Sequence, residues 1–174
     1  MSSKDHTKDH IFTLPDEAAT LALGAALAGV LVPGLVIHLI GDLGAGKTTL
    51  VRGLLRALGH TGPVRSPTYT LVELYVVSGY IVYHFDFYRF NRPEEWLEAG
   101  LDEHFNRDSI CLVEWPEKAG DLLPPADLQV RIDVVPDVAT DLDGDARKLA
   151  LHALTERGQL CLSGLQFPPY AKPT

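Results

Sequence analysis

The chain has 174 residues, 46 % of them hydrophobic, which suffices for one domain with a sizeable core. Its 15 Lys plus Arg against 23 Asp plus Glu leave a net charge of -8, the wrong sign for neutralising many nucleic-acid phosphates unaided, so any RNA role needs a basic partner. Cys111 and Cys161 lack metal or disulfide spacing, no apolar run approaches about 18 residues, and the polar start carries no signal-type core, so a soluble cytoplasmic protein without a membrane anchor is expected.

Residues 1–9 are polar and read as a disordered tail, residues 10–160 as a single domain and residues 161–174 as a second tail. Residues 11–14 suit a short strand. Thr13 and Asp16 have capping-box spacing, Pro15 fits a first helical position, and Leu23, Leu27, Val30 and Leu31 recur at helical spacing as far as Pro33-Gly34. Residues 35–40 form an apolar run interrupted only by His38, as in a parallel strand buried on both faces. The run leads directly into Gly41. Residues 48–58 carry Leu50, Val51, Leu54, Leu55 and Leu58 on one helical face, with Gly59 placed to end the helix.

Downstream, residues 69–77 and 80–85 are rich in β-branched and aromatic side chains and flank Ser78-Gly79, which predicts a hairpin. A short helix is predicted to begin at Pro93-Glu94-Glu95. Residues 109–115 form an apolar run containing Glu114 near its end, and residues 128–134 alternate as a strand. Residues 137–145 read as a turn or loop, and residues 147–154 fit a strand or a helix equally. The pattern predicts an α/β protein with a P-loop NTPase-like three-layer fold, a mostly parallel central sheet and an antiparallel hairpin.

Residues 41–48 read Gly-Asp-Leu-Gly-Ala-Gly-Lys-Thr and meet the pattern G-x-x-x-x-G-K-[ST] between a predicted strand and a predicted helix. Glycine lets the main chain wrap an anion, and the N-terminus of the following helix adds its dipole. The expected ligand is ATP with Mg2+, contacted by Asp42, Leu43, Gly44, Ala45, Gly46, Lys47, Thr48 and Thr49. Lys47 is expected on the β- and γ-phosphates and the Thr48 hydroxyl on magnesium. Such a loop also needs an acid at the end of a neighbouring buried strand. Both Glu114 and Asp86 end an apolar run. Glu114 is taken as the magnesium partner, and Asp86 as the carboxylate nearer the γ-phosphate or the attacking water.

With these residues in place, the strings Ser-Pro-Thr-Tyr-Thr-Leu from Ser66, His-Phe-Asp-Phe-Tyr-Arg from His84 and Val-Glu-Trp-Pro from Val113 make the chain resemble the TsaE family, formerly YjeE. The resemblance runs from about residue 11 to about residue 134. It implies a small bacterial ATPase that works with TsaB and TsaD in making threonylcarbamoyladenosine in tRNA, with tRNA reached only through the complex. TsaD would perform the carbamoyl transfer, and ATP hydrolysis would reset the complex between turnovers. It also implies that residues 66–70 are a mobile switch near the γ-phosphate with Thr68 as its polar contact. Functional weight falls on Asp86, Tyr88 and Arg89, and adenine contacts near Thr13 and near Arg131. His84 is read as structural, because phosphoryl transfer to water depends on positioning and charge. Trp115 is read as a core ring or a partner-facing one.

Two rival functions share the phosphate loop. A small-molecule kinase would normally bring an arginine-bearing lid, whereas the chain after Gly120 holds only Arg131, Arg147 and Arg157. A nucleotide-gated binding module with negligible turnover would use residues 66–70 to change partner affinity.

Overall fold

A computed structural model describes residues 9–136 and 146–167. The expected loop at residues 137–145 and the first eight residues of the expected N-terminal tail lie outside the described residues. Seven strands form one sheet in the order β1-β7-β6-β2-β5-β4-β3, where β1 is His10–Leu14, β2 Val36–Ile40, β3 Val72–Val77, β4 Tyr80–Asp86, β5 Ser109–Glu114, β6 Leu128–Val134 and β7 Arg147–Ala153. The central β6, β2, β5 and β4 run parallel, while β3, β7 and β1 pair antiparallel at the edges. The predicted mixed fold and its hairpin at Ser78-Gly79 are therefore both present.

Helices α1 (Glu17–Ala28) and α2 (Lys47–Ala57) pack on one face over an aliphatic core that includes Leu23, Leu27, Leu50, Leu54 and Leu55. Their backbones meet closely. A Cβ on Gly24 would lie 2.2 Å from the Leu50 carbonyl oxygen, and one on Gly53 would lie 2.1 Å from that of Leu21. The opposite face carries an aromatic cluster of Phe85, Phe87, Phe90 and Trp96, covered by the single-turn α3 (Glu95–Glu98) and short 3₁₀ turns. That cover is incomplete over β2. Ile37 and Leu39 are buried toward the helices, but Val36, His38 and Ile40 are only half-buried, so the expected burial on both faces is not met.

Local signals yielded to tertiary pairing in several places. Thr13 does not cap α1: it lies within β1, opposite Lys148, because pairing with β7 continues through Leu14. Asp16 is the cap, its carboxylate accepting from the Ala19 amide at 2.8 Å. The helix stops at Ala28, short of Pro33. Residues 68–70 form a turn and Leu71 follows it at φ 68°, so the first hairpin strand begins at Val72. Residues 147–153 are a strand because they pair on both sides, with β1 and β6. The chain also continues its packing past residue 160. Helix α4 (Glu156–Gly164), capped by Thr155, buries Cys161 and Leu162, and Leu165 follows them into the main core, so the expected tail boundary falls inside a packed helix. Among the described residues no helix is long and apolar enough to cross a membrane.

Candidate functional site

Strand β2 delivers the chain into the glycine-rich loop and α2 carries it away. Gly46 is the N-cap of α2 at φ 112°, a left-handed conformation natural to glycine, and no side chain caps the helix. The first amides of α2 are thus directed at the loop, in the arrangement that binds anions at helix N-termini. Lys47 is buried, and its Nζ donates to the carbonyl oxygens of Gly41 and of Asp42, the latter at 3.3 Å. Burial lowers the lysine pKa below its usual value, and the negative charges of Glu114, Glu117, Asp86 and Asp42 oppose that shift. From β7, Arg147 donates Nε to the Ala45 carbonyl at 2.8 Å and a terminal nitrogen to that of Gly44 at 3.4 Å, bracing the loop from outside.

The second half of the site is made of side chains. Asp86 and Glu114 end adjacent parallel strands and stand opposite each other in register, and both are buried. Thr48 places its hydroxyl 3.1 and 3.2 Å from the two Glu114 carboxylate oxygens. Ser66 contacts both acids, at 2.9 Å from Glu114 Oε2 and closely at Asp86 Oδ2. Thr68 donates to the same Asp86 oxygen at 3.2 Å, while the Tyr88 amide donates to Oδ1 at 2.9 Å. Fully buried His84 presents Nε2 to Glu114 Oε2 at 2.8 Å, and its Nδ1 finds no partner among the described residues. Burial alone would raise the Glu114 pKa, but the hydrogen bond and charge of His84, the Ser66 hydroxyl and the Lys47 charge together hold it below the ordinary carboxylate value.

Loop and acids share one pocket of about 260 Å³, lined by Leu43, Gly44, Ala45, Gly46, Lys47, Thr48 and Thr49 on one side and Ser66, Thr68, Asp86, Tyr88, Glu114 and Trp115 on the other. The expected phosphate and acid residues meet there except Asp42, which contributes its carbonyl to Lys47. Of the expected switch, Ser66 and Thr68 join them, while Pro67, Tyr69 and Thr70 line a separate hollow. Thr13 and Arg131 do not join them: Thr13 sits in β1, and exposed Arg131 lines shallow hollows beside Gln129. A second hollow on the other side of the loop shares Gly44, Gly46 and Thr49 and adds Glu17, Thr20 and Arg147. Sequence reading did not find those three, and Arg147, a hundred residues from the loop, has no local signal. Trp115 and Tyr88 could be sought by adjacency, since each follows an acid within two residues. Arg89 stacks over Tyr69 at 4.6 Å, joining the chain after β4 to the segment of Thr68.

Two carboxylates with neighbouring hydroxyls do not make a self-sufficient metal cage, and among the described residues no cluster of three or more His, Cys, Asp or Glu side chains does. They do fit magnesium, which typically takes one or two carboxylates and fills its remaining positions with water and substrate phosphates.

The family model described as "Threonylcarbamoyl adenosine biosynthesis protein TsaE" matches residues 14–140. A "tRNA threonylcarbamoyladenosine biosynthesis protein TsaE" of Haemophilus influenzae is 46 % identical over 155 residues, covering 86 % of this chain and 93 % of the relative. The protein of the same name from Bacillus subtilis is 42 % identical over 118 residues, covering 68 % of this chain and 72 % of the relative. The crystal structure of YdiB from Bacillus subtilis superposes with a TM-score of 0.75 at 31 % identity, covering 92 % of this chain and 97 % of that one.

Proposed function

The chain belongs to the TsaE family of threonylcarbamoyl adenosine biosynthesis proteins, and from that premise we propose that it binds ATP with magnesium and hydrolyses it to ADP and phosphate within the machinery that makes threonylcarbamoyladenosine in tRNA. The observation that carries this reading is the Thr48 hydroxyl of the glycine-rich loop bonded to Glu114, a buried acid at the end of the neighbouring strand, in one pocket with Lys47. Loop amides and Lys47 hold the phosphates. The nucleoside extends into the hollow of Glu17, Thr20 and Arg147, which shares three loop residues with the phosphate pocket. Thr13 and Arg131 line neither, so the contacts implied for them have no such support.

Thr48 and Glu114 would hold magnesium, which would supply neutralisation of phosphate charge. Asp86, fixed by Ser66, Thr68 and the Tyr88 amide, orients a water toward the γ-phosphorus. That water's oxygen bonds to phosphorus as the bond to the ADP oxygen breaks, and the water's proton leaves on the released phosphate or to bulk water. Asp86 then acts through position and charge, as phosphoryl transfer requires. Turnover is slow alone and rises with TsaB and TsaD, and the net charge of -8 directs contact toward proteins with tRNA bound elsewhere in the complex.

The test is magnesium-dependent phosphate release by the purified chain, alone and with TsaB, TsaD and tRNA. Release that rises on adding the partners supports the reading. Tight ATP binding with no release under any combination would favour the nucleotide-gated binding module.

A further inference from the structure

We propose that Trp115 is a positioning residue for Lys47: its ring holds the ammonium in a buried place without neutralising it, so the charge stays available to phosphate. The inference rests on reading the loop as the phosphate site of ATP.

Lys47 Nζ lies 3.9 Å from the centroid of the Trp115 ring. Its remaining contacts are the neutral carbonyls of Gly41 and Asp42. Four acids lie near enough to bear on its titration, yet among the described residues Lys47 makes no ion pair. An incoming phosphate therefore displaces no carboxylate. The face of an indole attracts a cation through its quadrupole but has no net charge, so it can shelter an ammonium and leave its full charge to a ligand. With the ring gone, Lys47 is free to turn to the nearby acids, and the phosphate must then compete with them.

The backbone supplies a second, independent observation. Trp115 has φ 58° and ψ 47°, left-handed values that a residue bearing Cβ adopts at a cost and that glycine would adopt freely. Among the described residues only Leu71 and Ser78 share positive φ without being glycine. A large side chain retained at such a position points to a use for that side chain. The turn brings the ring over Lys47 directly after Glu114, and Tyr88 braces it at 5.0 Å between centroids.

Calorimetric titration with magnesium-ATP tests the proposal on wild type, Trp115→Leu, Trp115→Phe, Lys47→Met and the double variant Lys47→Met/Trp115→Leu. Trp115→Leu is expected to weaken binding roughly tenfold, in keeping with a desolvated cation–π contact, and Trp115→Phe to keep most of the affinity. In the Lys47→Met background, Trp115→Leu should add nothing. A tenfold loss that persists without Lys47 would make the ring a packing element and overturn the proposal, as would wild-type affinity in Trp115→Leu. Should Trp115→Leu not fold, proton NMR of the wild type decides: the Lys47 side-chain resonances must lie upfield of other lysines through the ring current, and ordinary shifts overturn the assignment. Failure of wild type to bind magnesium-ATP would instead defeat the functional reading itself, and this inference with it.

Discussion

The glycine-rich loop and the acid cluster face each other across one pocket but are built in opposite ways. The loop is main chain, continuous in sequence, and held by what Gly46 and the N-terminus of α2 do with backbone amides. The acid cluster is side chain, gathered from β4, β5 and residues 66–68, and its carboxylates are satisfied by hydroxyls, a histidine and one amide. The loop should therefore fail when its backbone or its one cation is disturbed. The cluster should fail by degrees, as partners are removed one at a time.

Lys47→Ala is the largest expected break, because it removes the only side-chain cation within residues 41–48. Turnover should fall about thousandfold, the upper range for losing one electrostatic stabiliser of a transition state. Unfolding stability should hold, since burial already disfavours this charge. Normal magnesium-ATP turnover by the folded variant would remove Lys47 from the site. Gly41→Ala attacks the backbone instead. A Cβ there would stand 2.4 Å from the Ile132 carbonyl oxygen, too close for either strand to remain in place. Thermal unfolding should show a loss of about 3 kcal/mol, at the upper end for overpacking, and an unchanged midpoint would mean the loop and β6 can separate freely.

Two histidines extend the contrast to the strands beneath. His84 is bonded to Glu114, whereas Nε2 of His38 on β2 is buried without a partner among the described residues. Burial lowers the His38 pKa from 6.5 to about 4, with a hydrogen bond to the Pro124 backbone opposing the shift. Its proton is held more weakly in the folded state. The unfolded chain therefore binds more protons as pH falls below 6.5, so stability present above 6.5 is lost down to about 4. The full loss is about 3 kcal/mol, and the depressed pKa of Glu114 adds to it only below the ordinary carboxylate value of 4.5. Denaturant unfolding at pH 7 and pH 5 should show the decline, and His38→Leu should flatten it. An equal decline in that variant would assign it elsewhere.

How far the sequence made these features legible follows from the same contrast. The loop could be read directly because eight consecutive residues specify it, and Asp86 and Glu114 because each ends an apolar strand. Ser66 as a bridge between them could not, since bridging depends on how the chain returns from α2 to β3. Arg147 braces the loop from another strand with no motif to mark it. Helix α4 hid because Gly158 and Gly164 and a sparse apolar pattern weaken its periodicity, while tertiary packing supplies what propensity lacks. Thr13 shows the reverse failure: a sound local cap signal lost to strand pairing with β7.

The hydroxyl of Thr48 and the carboxylate of Glu114 belong to different halves, so their coupling measures how firmly the halves are joined. In a double-mutant cycle with Thr48→Ala and Glu114→Gln, followed by magnesium-ATP affinity, the coupling energy should reach about 2 kcal/mol. Additive losses would mean that the two residues do not act on a common ion.

The smallest expected effect separates Ser66 from Thr68 within the acid cluster. Ser66 reaches both carboxylates, whereas Thr68 reaches only Asp86. A hydroxyl carries one proton and can donate it to one acid at a time, so Ser66 divides its bond between Asp86 and Glu114. Anything that draws on Glu114, as magnesium would, shifts Ser66 toward Asp86 and moves the loop that carries it. That loop is otherwise closed by its own backbone: the Leu71 amide donates to the Pro67 carbonyl at 2.7 Å, and the Asp86 amide donates to the Leu71 carbonyl at 3.0 Å. Hydrogen exchange at these two amides therefore reports how often the loop leaves the acids. Ser66→Ala should speed exchange at both about tenfold, corresponding to loss of a hydrogen bond to a charged group, and Thr68→Ala by a few-fold at most. Magnesium-ATP should change exchange at both amides in wild type and much less in Ser66→Ala. If Thr68→Ala has the larger effect, Asp86 alone anchors the loop. The segment then senses only the Asp86 side of the pocket, with no link through Glu114 to the glycine-rich loop.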